Sequence, residues 1–151
     1  MDAGVSNRDR AEVDDGEKSM PADAPTVADV LATKESKIIA VKESSLLREA
    51  AAVLYRNHIG MVVVVGDDGG FRGVLSERDV IRVFAERGAD AAPLKVADIA
   101  THTVRACEPS RTLESVLESM KEGKFRHMPV VDGGRIRGVI SAIDILAYLA
   151  R

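Results

Sequence analysis

The feature that most constrains this chain is an internal duplication. The segment Val27-Ala28-Asp29-Val30 returns as Val96-Ala97-Asp98-Ile99, and Gly73-Val74-Leu75-Ser76 returns as Gly138-Val139-Ile140-Ser141. Self-similarity of this kind is the sequence sign of a repeat architecture, in which one structural unit is built more than once. The chain therefore contains two copies of one unit.

Each copy contains an amphipathic helix. Apolar residues recur at positions i, i+3, i+4 and i+7, which is the spacing of one face of a helix. They are Leu47, Ala50, Ala51 and Leu54 in the first copy and Leu113, Val116, Leu117 and Met120 in the second. Both copies also have a Val-Ala-Asp segment that predicts a short lead-in helix.

The helix of each copy is followed by a predicted β-hairpin. Continuous apolar runs with β-branched residues predict buried strands at 61–65 and 128–131. Glycine-rich turns at 66–70 and 132–134 lead into second strands at 71–75 and 135–140. A closing helix is predicted after Ser76 and after Ser141, and short opening strands are predicted near 37–41 and 103–107.

Each copy thus has the order strand, helix, strand, strand, helix, and the fold class is α+β with an α/β-like order. A three-stranded sheet with helices on one face leaves apolar surface on the other, which a second copy covers. We therefore expect repeats at 26–90 and 91–151, packed as a pseudo-two-fold pair. Residues 1–25 are rich in Asp, Glu, Ala and Gly without sustained periodicity, so we expect a disordered acidic tail.

Composition excludes several classes of function. The 24 acidic and 21 basic side chains give a net charge of −3, and aromatic residues are only 3% of the chain, which disfavours nucleic acid as a partner. Cys107 is the one cysteine, and neither a membrane-spanning apolar run nor a signal-like N-terminus is present, so we expect a cytoplasmic protein without membrane association. The three histidines lack metal-ligand spacing, so we expect no metal site and no catalysis.

The sharpest local signal is a Ser-x-x-Asp motif where each hairpin meets its closing helix. It comprises Ser76 and Asp79 in the first copy and Ser141 and Asp144 in the second. One interpretation is a helix N-cap, because serine and an acidic residue at this spacing satisfy helix amides reciprocally. The other is a nucleotide site, since a helix N-terminus holds phosphate and a carboxylate accepts ribose hydroxyls. Spacing alone leaves both open.

These motifs, the duplication and the segment Phe125-Arg126-His127-Met128-Pro129-Val130-Val131-Asp132 resemble a tandem pair of cystathionine-β-synthase (CBS) domains. The resemblance covers about residues 27–151, and its motifs are typical of small free-standing bacterial members. It implies two clefts that accept AMP, ADP, ATP, S-adenosylmethionine or dinucleotides such as NAD(H), and association of two pairs into a flat homodimer.

The resemblance also assigns residues to these clefts. Asp79 and Asp144 would bind ribose, and Ser76 and Ser141 would approach phosphate. The adenine slots would be lined by residues 59–62, which include Ile59, Gly60 and Met61, and by residues 125–128, which include Arg126, His127 and Met128. Arg78 is a further candidate for a phosphate or dimer contact, with a solvent-facing helical residue as the alternative.

The two clefts are not expected to be identical. Arg126 and His127 align with Gly60 and Met61, so cationic groups occur at this point in the second copy alone, where they either meet phosphate or remain surface residues. Many family members carry a hydroxyl residue at the end of the opening strand, where this chain has Ala40 and Ala106. That departure weakens the case for AMP, although Thr33, Thr101 or Thr103 could supply a hydroxyl.

The leading hypothesis is an adenine-nucleotide sensor, AMP favoured, that signals to a separate effector protein. The alternative is a structural dimerisation or protein-interaction module in which both Ser-x-x-Asp motifs are helix caps.

Overall fold

The computed structural model describes residues 12–13, 23–34 and 38–151. In chain order its elements are β1 (Glu12–Val13), α1 (Val27–Thr33), β2 (Ala40–Lys42), α2 (Leu47–Asn57), β3 (Met61–Val65), β4 (Phe71–Ser76), α3 (Glu77–Arg87), a 3₁₀ turn (Gly88–Ala91), α4 (Val96–Ile99), β5 (Arg105–Ala106), α5 (Leu113–Gly123), β6 (His127–Asp132), β7 (Arg135–Ser141) and α6 (Ala142–Ala150). The α+β class is confirmed.

Contacts divide the described chain into two compact units. The first unit contains Ile39–Val104, and the second combines Glu12–Ile38 with Arg105–Arg151. Each lead-in helix therefore lies with the other sequence copy: α1 belongs to the second unit and α4 to the first. Each compact unit therefore contains the lead-in helix of the other sequence repeat.

Local contacts explain this placement of the lead-in helices. Val27 is fully buried in the core of the second unit, and its amide donates to the Arg111 carbonyl oxygen at 2.9 Å. In the first unit the equivalent Val96 is also fully buried, and its amide donates to the Ser45 carbonyl oxygen at 2.8 Å. Each short helix is anchored by buried valine, two residues in α1 and one in α4, and by backbone hydrogen bonds to the turn before α2 or α5.

The amphipathic helices are confirmed. In α2 the residues Leu47, Ala50 and Leu54 are buried, and in α5 the equivalents Leu113, Val116 and Met120 are buried. Burying a leucine side chain contributes about 2 kcal/mol of hydrophobic free energy. These helix faces therefore form much of each core.

The first unit contains a three-stranded sheet in which β3 is central. Strand β2 pairs with β3 in parallel, and β3 pairs with β4 in antiparallel register, with Met61 opposite Ser76. The run Val62 to Val64 is buried on both faces, as the apolar sequence predicts. This register places the end of β4 beside the beginning of β3.

The second unit has the same hairpin but a shorter opening strand. Strands β6 and β7 are antiparallel with His127 opposite Ser141, while the two-residue β5 pairs in parallel with β1. Cys107, just after β5, joins β6 through an isolated parallel bridge to Val130. The sequence did not predict β1, which lies within the tail expected to be disordered; most of that tail, and Lys37 at the start of the predicted opening strand, fall outside the described residues.

No helix in the described part of the chain is long and apolar enough to cross a membrane.

Candidate functional site

The junction between β4 and α3 forms a reciprocal capping box in the first unit. The Ser76 hydroxyl oxygen accepts from the Asp79 amide at 3.1 Å, and the Ser76 amide donates to Asp79 Oδ2 at 3.0 Å. This geometry satisfies two helix-terminal groups that would otherwise have no intrahelical partner. The capping interpretation of this motif is therefore confirmed here.

The junction between β7 and α6 repeats the same box in the second unit. The Ser141 hydroxyl oxygen accepts from the Asp144 amide at 3.0 Å, and the Ser141 amide donates to Asp144 Oδ2 at 2.9 Å. An ionised carboxylate has two oxygens and about four acceptor positions, so a cap does not exhaust it. The ribose and phosphate roles of these residues remain predictions beside the cap.

Each box lies against the beginning of the neighbouring strand. The Gly60 carbonyl oxygen accepts from the Glu77 amide at 2.8 Å, and the Arg126 carbonyl oxygen accepts from the Ala142 amide at 2.9 Å. The structure thus brings the residues assigned to the adenine slots next to the Ser-x-x-Asp motif in each unit. Residues separated by about 15 positions in sequence form one local cluster.

Within these clusters the side chains differ in exposure. Arg126 and His127 are exposed beside Ser141, and Arg78 is exposed in the first turn of α3. Ile59 and Met61 are half-buried, whereas Met128 is fully buried in the core of the second unit. The Met128 side chain therefore belongs to the core of the second unit and contributes no accessible surface.

Asp144 carries an ion pair that the sequence did not predict. Lys34, which follows α1, places its Nζ 2.7 Å from Asp144 Oδ2 and 2.9 Å from the Val139 carbonyl oxygen. Burial raises the pKa of Asp144, but hydrogen bonds from Lys34 and Ser141 outweigh it and lower the pKa below its ordinary value. Asp144 is thus held as a carboxylate by a cation on a distant segment.

Asp79 has a weaker cationic neighbour. Arg82 approaches Asp79 Oδ1 at 3.5 Å from the next turn of α3, and the Arg82 side chain is 53% exposed. Exposed pairs of this kind contribute little, typically under about 1 kcal/mol. Asp79 and Asp144 therefore form the same kind of helix cap in their own units but differ in their ion pairs.

Lys34 was missed because its partner is 110 residues away in sequence. A signal was nevertheless present: counting from the lead-in motif, Lys34 aligns with Thr103, so the cation occurs in one copy alone. Of the threonines considered as hydroxyl donors, Thr33 and Thr101 bond to neighbouring backbone groups. The Thr33 hydroxyl donates to the Val30 carbonyl oxygen at 2.8 Å, and Thr101 pairs with β4 through its backbone.

The two alanines at the opening strands differ in exposure. Ala40 is exposed at the start of β2, whereas Ala106 is fully buried in β5. A methyl group can neither donate to nor accept from a phosphate, so these positions supply no side-chain hydrogen bond.

A cavity of about 440 Å³ lies against the cluster of the first unit. Its lining includes the predicted residues Ile59 and Gly60, and it adds Tyr55, His58 and Glu77. Tyr55 is 80% exposed at the solvent-facing side of α2. These three residues were missed because Tyr55 is an exposed side chain near the end of α2, while His58 and Glu77 lie at helix ends outside the apolar periodicity.

Metal ligation has no geometric support in the described residues, where no group of three or more His, Cys, Asp or Glu side chains could hold an ion.

Comparison with known proteins gives a consistent family match. The sequence model of the CBS domain matches residues 27–86 and 96–151. A CBS-domain-containing protein of Agrobacterium tumefaciens of known crystal structure is 33% identical, with a TM-score of 0.72 over 86% of this chain and 97% of that one. CBSX2, whose crystal structure is a complex with AMP, is 25% identical, with a TM-score of 0.73 over 83% of this chain and 96% of that one.

Some curated relatives are much longer than the matched region. An uncharacterized protein of Methanocaldococcus jannaschii is 29% identical over 115 residues, which make up 76% of this chain and 40% of that protein. The chain spans 34% of the length of a second curated relative.

Proposed function

The chain belongs to the CBS domain family, and we propose that it is a non-catalytic regulatory module that binds an adenosine-containing ligand. AMP is favoured, with ADP, ATP or NAD(H) as alternatives. The complex of CBSX2 with AMP supports the ligand class, because that chain aligns with this one over most of both lengths. The bound state would alter the behaviour of a separate effector protein.

The observation that carries the proposal is the cluster of the second unit. Ser141 and Asp144 cap the N-terminus of α6, and exposed Arg126 and His127 lie directly beside them. A helix N-terminus with a neighbouring guanidinium provides hydrogen-bond donors and positive potential for a phosphate. Asp144 supplies the carboxylate that would accept ribose hydroxyls.

The first unit offers the same box without the guanidinium and imidazole groups. Gly60 and Met61 stand where the second unit has Arg126 and His127, and Ala40 provides no hydroxyl. We therefore propose that the second unit contributes the main phosphate contacts. A ligand in the first unit would rely on Asp79, Ser76 and the half-buried apolar side chains of Ile59 and Met61.

Thermal unfolding with AMP tests the ligand and its site together. A ligand that binds the native state at about a hundred times its dissociation constant stabilises it by about 2.7 kcal/mol, so the wild-type Tm should rise. Asp144→Ala should abolish this rise while the fold is retained, with a loss of about 1 kcal/mol from the cap. Thr112→Ala, which removes the side-chain cap of α5 at a residue assigned to neither cluster, serves as the control.

The outcomes separate the competing interpretations. An AMP-induced shift that survives Asp144→Ala would remove the ribose assignment. If AMP, ADP, ATP, NAD, NADH and S-adenosylmethionine all fail to shift the Tm at millimolar concentration, the nucleotide proposal is wrong and the structural module takes its place.

A second candidate function, homodimerisation, is favoured by exposed apolar side chains. Ile81 on α3 is 66% exposed and the equivalent Leu146 on α6 is 57% exposed. Ile143 and Leu149 extend the apolar row on α6, and Tyr55 accompanies Ile81 at the cavity of the first unit. Exposed apolar side chains grouped on one helix mark an interaction site, and the recurrence of such a side chain at the matched positions Ile81 and Leu146 fits a contact between two copies of this chain.

Sedimentation equilibrium tests the dimer. The wild-type chain should sediment as a dimer and Leu146→Glu as a monomer, because a carboxylate placed in an apolar interface is costly to desolvate. Lys121→Glu, an exposed change on α5, is the control. A wild-type monomer at micromolar concentration would contradict this candidate.

A further inference from the structure

Lys34 connects the end of α1 to the cluster of the second unit. Its Nζ lies 2.7 Å from Asp144 Oδ2 and 2.9 Å from the Val139 carbonyl oxygen. The two side chains remain partly exposed, at 33% for Lys34 and 25% for Asp144. The short distances indicate a strong charge-assisted hydrogen bond, and the partial exposure leaves it accessible to a competing group from solvent.

The first unit makes the corresponding link without a side chain. There the Val74 carbonyl oxygen, equivalent to that of Val139, accepts from the Thr101 amide at 2.9 Å. The segment after α4 thus attaches to β4 through its backbone. In the second unit the equivalent carbonyl oxygen, that of Val139, accepts a hydrogen bond from Lys34. The other contact of Lys34 is Asp144, the carboxylate assigned to ribose.

We propose that Lys34 is a specificity-determining residue that competes with ribose for Asp144 and selects phosphorylated ligands over neutral nucleosides. This inference rests on the proposed function of Asp144. A ribose that binds both carboxylate oxygens of Asp144 through its two hydroxyls competes with the Lys34 ammonium group, which lies at Oδ2. A nucleotide offers that ammonium a phosphate in exchange, whereas a nucleoside leaves the cation without an anionic partner.

Displacement of Lys34 from Asp144 would also change the contact between the end of α1 and β7. When Lys34 leaves Asp144 for a phosphate, its hydrogen bond to the Val139 carbonyl oxygen is also exchanged. That bond is a direct link between the end of α1 and β7. Ligand binding at Asp144 would therefore change how the lead-in segment of the second unit is held, which the backbone-paired segment of the first unit does not allow.

Titration calorimetry with AMP and with adenosine tests the selection. The wild-type chain should prefer AMP. Lys34→Met should bind adenosine more tightly, because the competitor is gone, and AMP no more tightly, because the phosphate partner is also gone. We expect the ratio of AMP affinity to adenosine affinity to fall by about tenfold.

Two further variants make the result specific. Lys34→Arg keeps a cation of similar reach and should retain most of the preference for AMP. Lys121→Met removes an exposed lysine of α5 and should leave the ratio at its wild-type value. A general loss of α1 packing would weaken both ligands equally, so it would not change the ratio.

Each outcome decides the question. An unchanged affinity ratio in Lys34→Met, with AMP still bound, overturns the role of Lys34 and leaves the proposed function standing. Absence of binding of both ligands to the wild-type chain and to all variants overturns AMP as the ligand, and the role of Lys34 with it.

Discussion

The two units attach equivalent segments to equivalent strands by different means. In the first unit Thr101 and Val74 exchange two backbone hydrogen bonds, of 2.9 and 3.0 Å. In the second unit the Lys34 side chain reaches the Val139 carbonyl oxygen and Asp144. Backbone pairing is independent of charge, whereas a link through an ammonium group responds to pH, salt and anions. Two copies with one fold thus differ in which solution conditions can weaken this attachment.

The largest effect is expected from glycines at matched positions of the two hairpins. Gly73 has a φ of +153°, and an added methyl group would overlap the Thr101 carbonyl oxygen, which the backbone bridge holds in place. A methyl group at Gly138 would meet Leu31 Cδ2 at 3.0 Å, the end of a flexible side chain. Gly73→Ala should lower the free energy of unfolding by about 3 kcal/mol and Gly138→Ala by about 1 kcal/mol or less.

Urea unfolding followed by circular dichroism measures both values. Equal losses in the two variants would mean that the backbone bridge at Thr101 yields as easily as the Leu31 side chain. The lead-in segment of the first unit would then be held no more rigidly at its hairpin than that of the second unit.

A smaller and symmetrical effect is expected at the helix caps. Ser76 and Ser141 accept from the N3 amide at 3.1 and 3.0 Å in boxes of the same geometry. Ser76→Ala and Ser141→Ala should therefore each cost about 1 kcal/mol of stability. Thermal melts without ligand provide the comparison, with Ser→Thr at each position as the capping-competent control. Unequal costs would indicate that one of the two serines has a further structural partner.

Much of the fold was predictable because it depends on local patterns. The periodicity that begins at Leu47 and Leu113 gave the amphipathic helices, and the apolar run beginning at Met61 gave strand β3 with its observed bounds. The Ser-x-x-Asp motifs were also predictable as caps, since both hydrogen bonds of the box join residues three positions apart. Turn glycines and β-branched runs supplied the hairpins.

The rest depends on contacts between distant segments. Nothing local shows that α1 buries Val27 in the core of the second unit, because Val27 and Val96 have the same sequence context. The ion pair of Lys34 with Asp144 spans 110 residues and has no periodic signal. The full burial of Met128 follows from the hairpin register, which places it opposite Ile140. Long-range register and docking were therefore the missing information.

The smallest effect concerns pH and involves the second unit alone. The pKa of Asp144 is raised by burial but lowered overall by Lys34 and Ser141. A carboxyl group whose folded pKa is below its unfolded value of about 3.9 stabilises the fold fully above that pH. The stabilisation is lost as the pH falls from about 4 through the lowered pKa of the folded state.

Lys34→Met should therefore lose less stability than the wild type between pH 5 and pH 3, by about 0.5 kcal/mol because the pair is partly exposed. Urea unfolding at several pH values measures this difference, with Lys121→Met as the control that keeps the wild-type dependence. Parallel pH profiles for the wild type and Lys34→Met would show that the ion pair does not hold the lead-in segment.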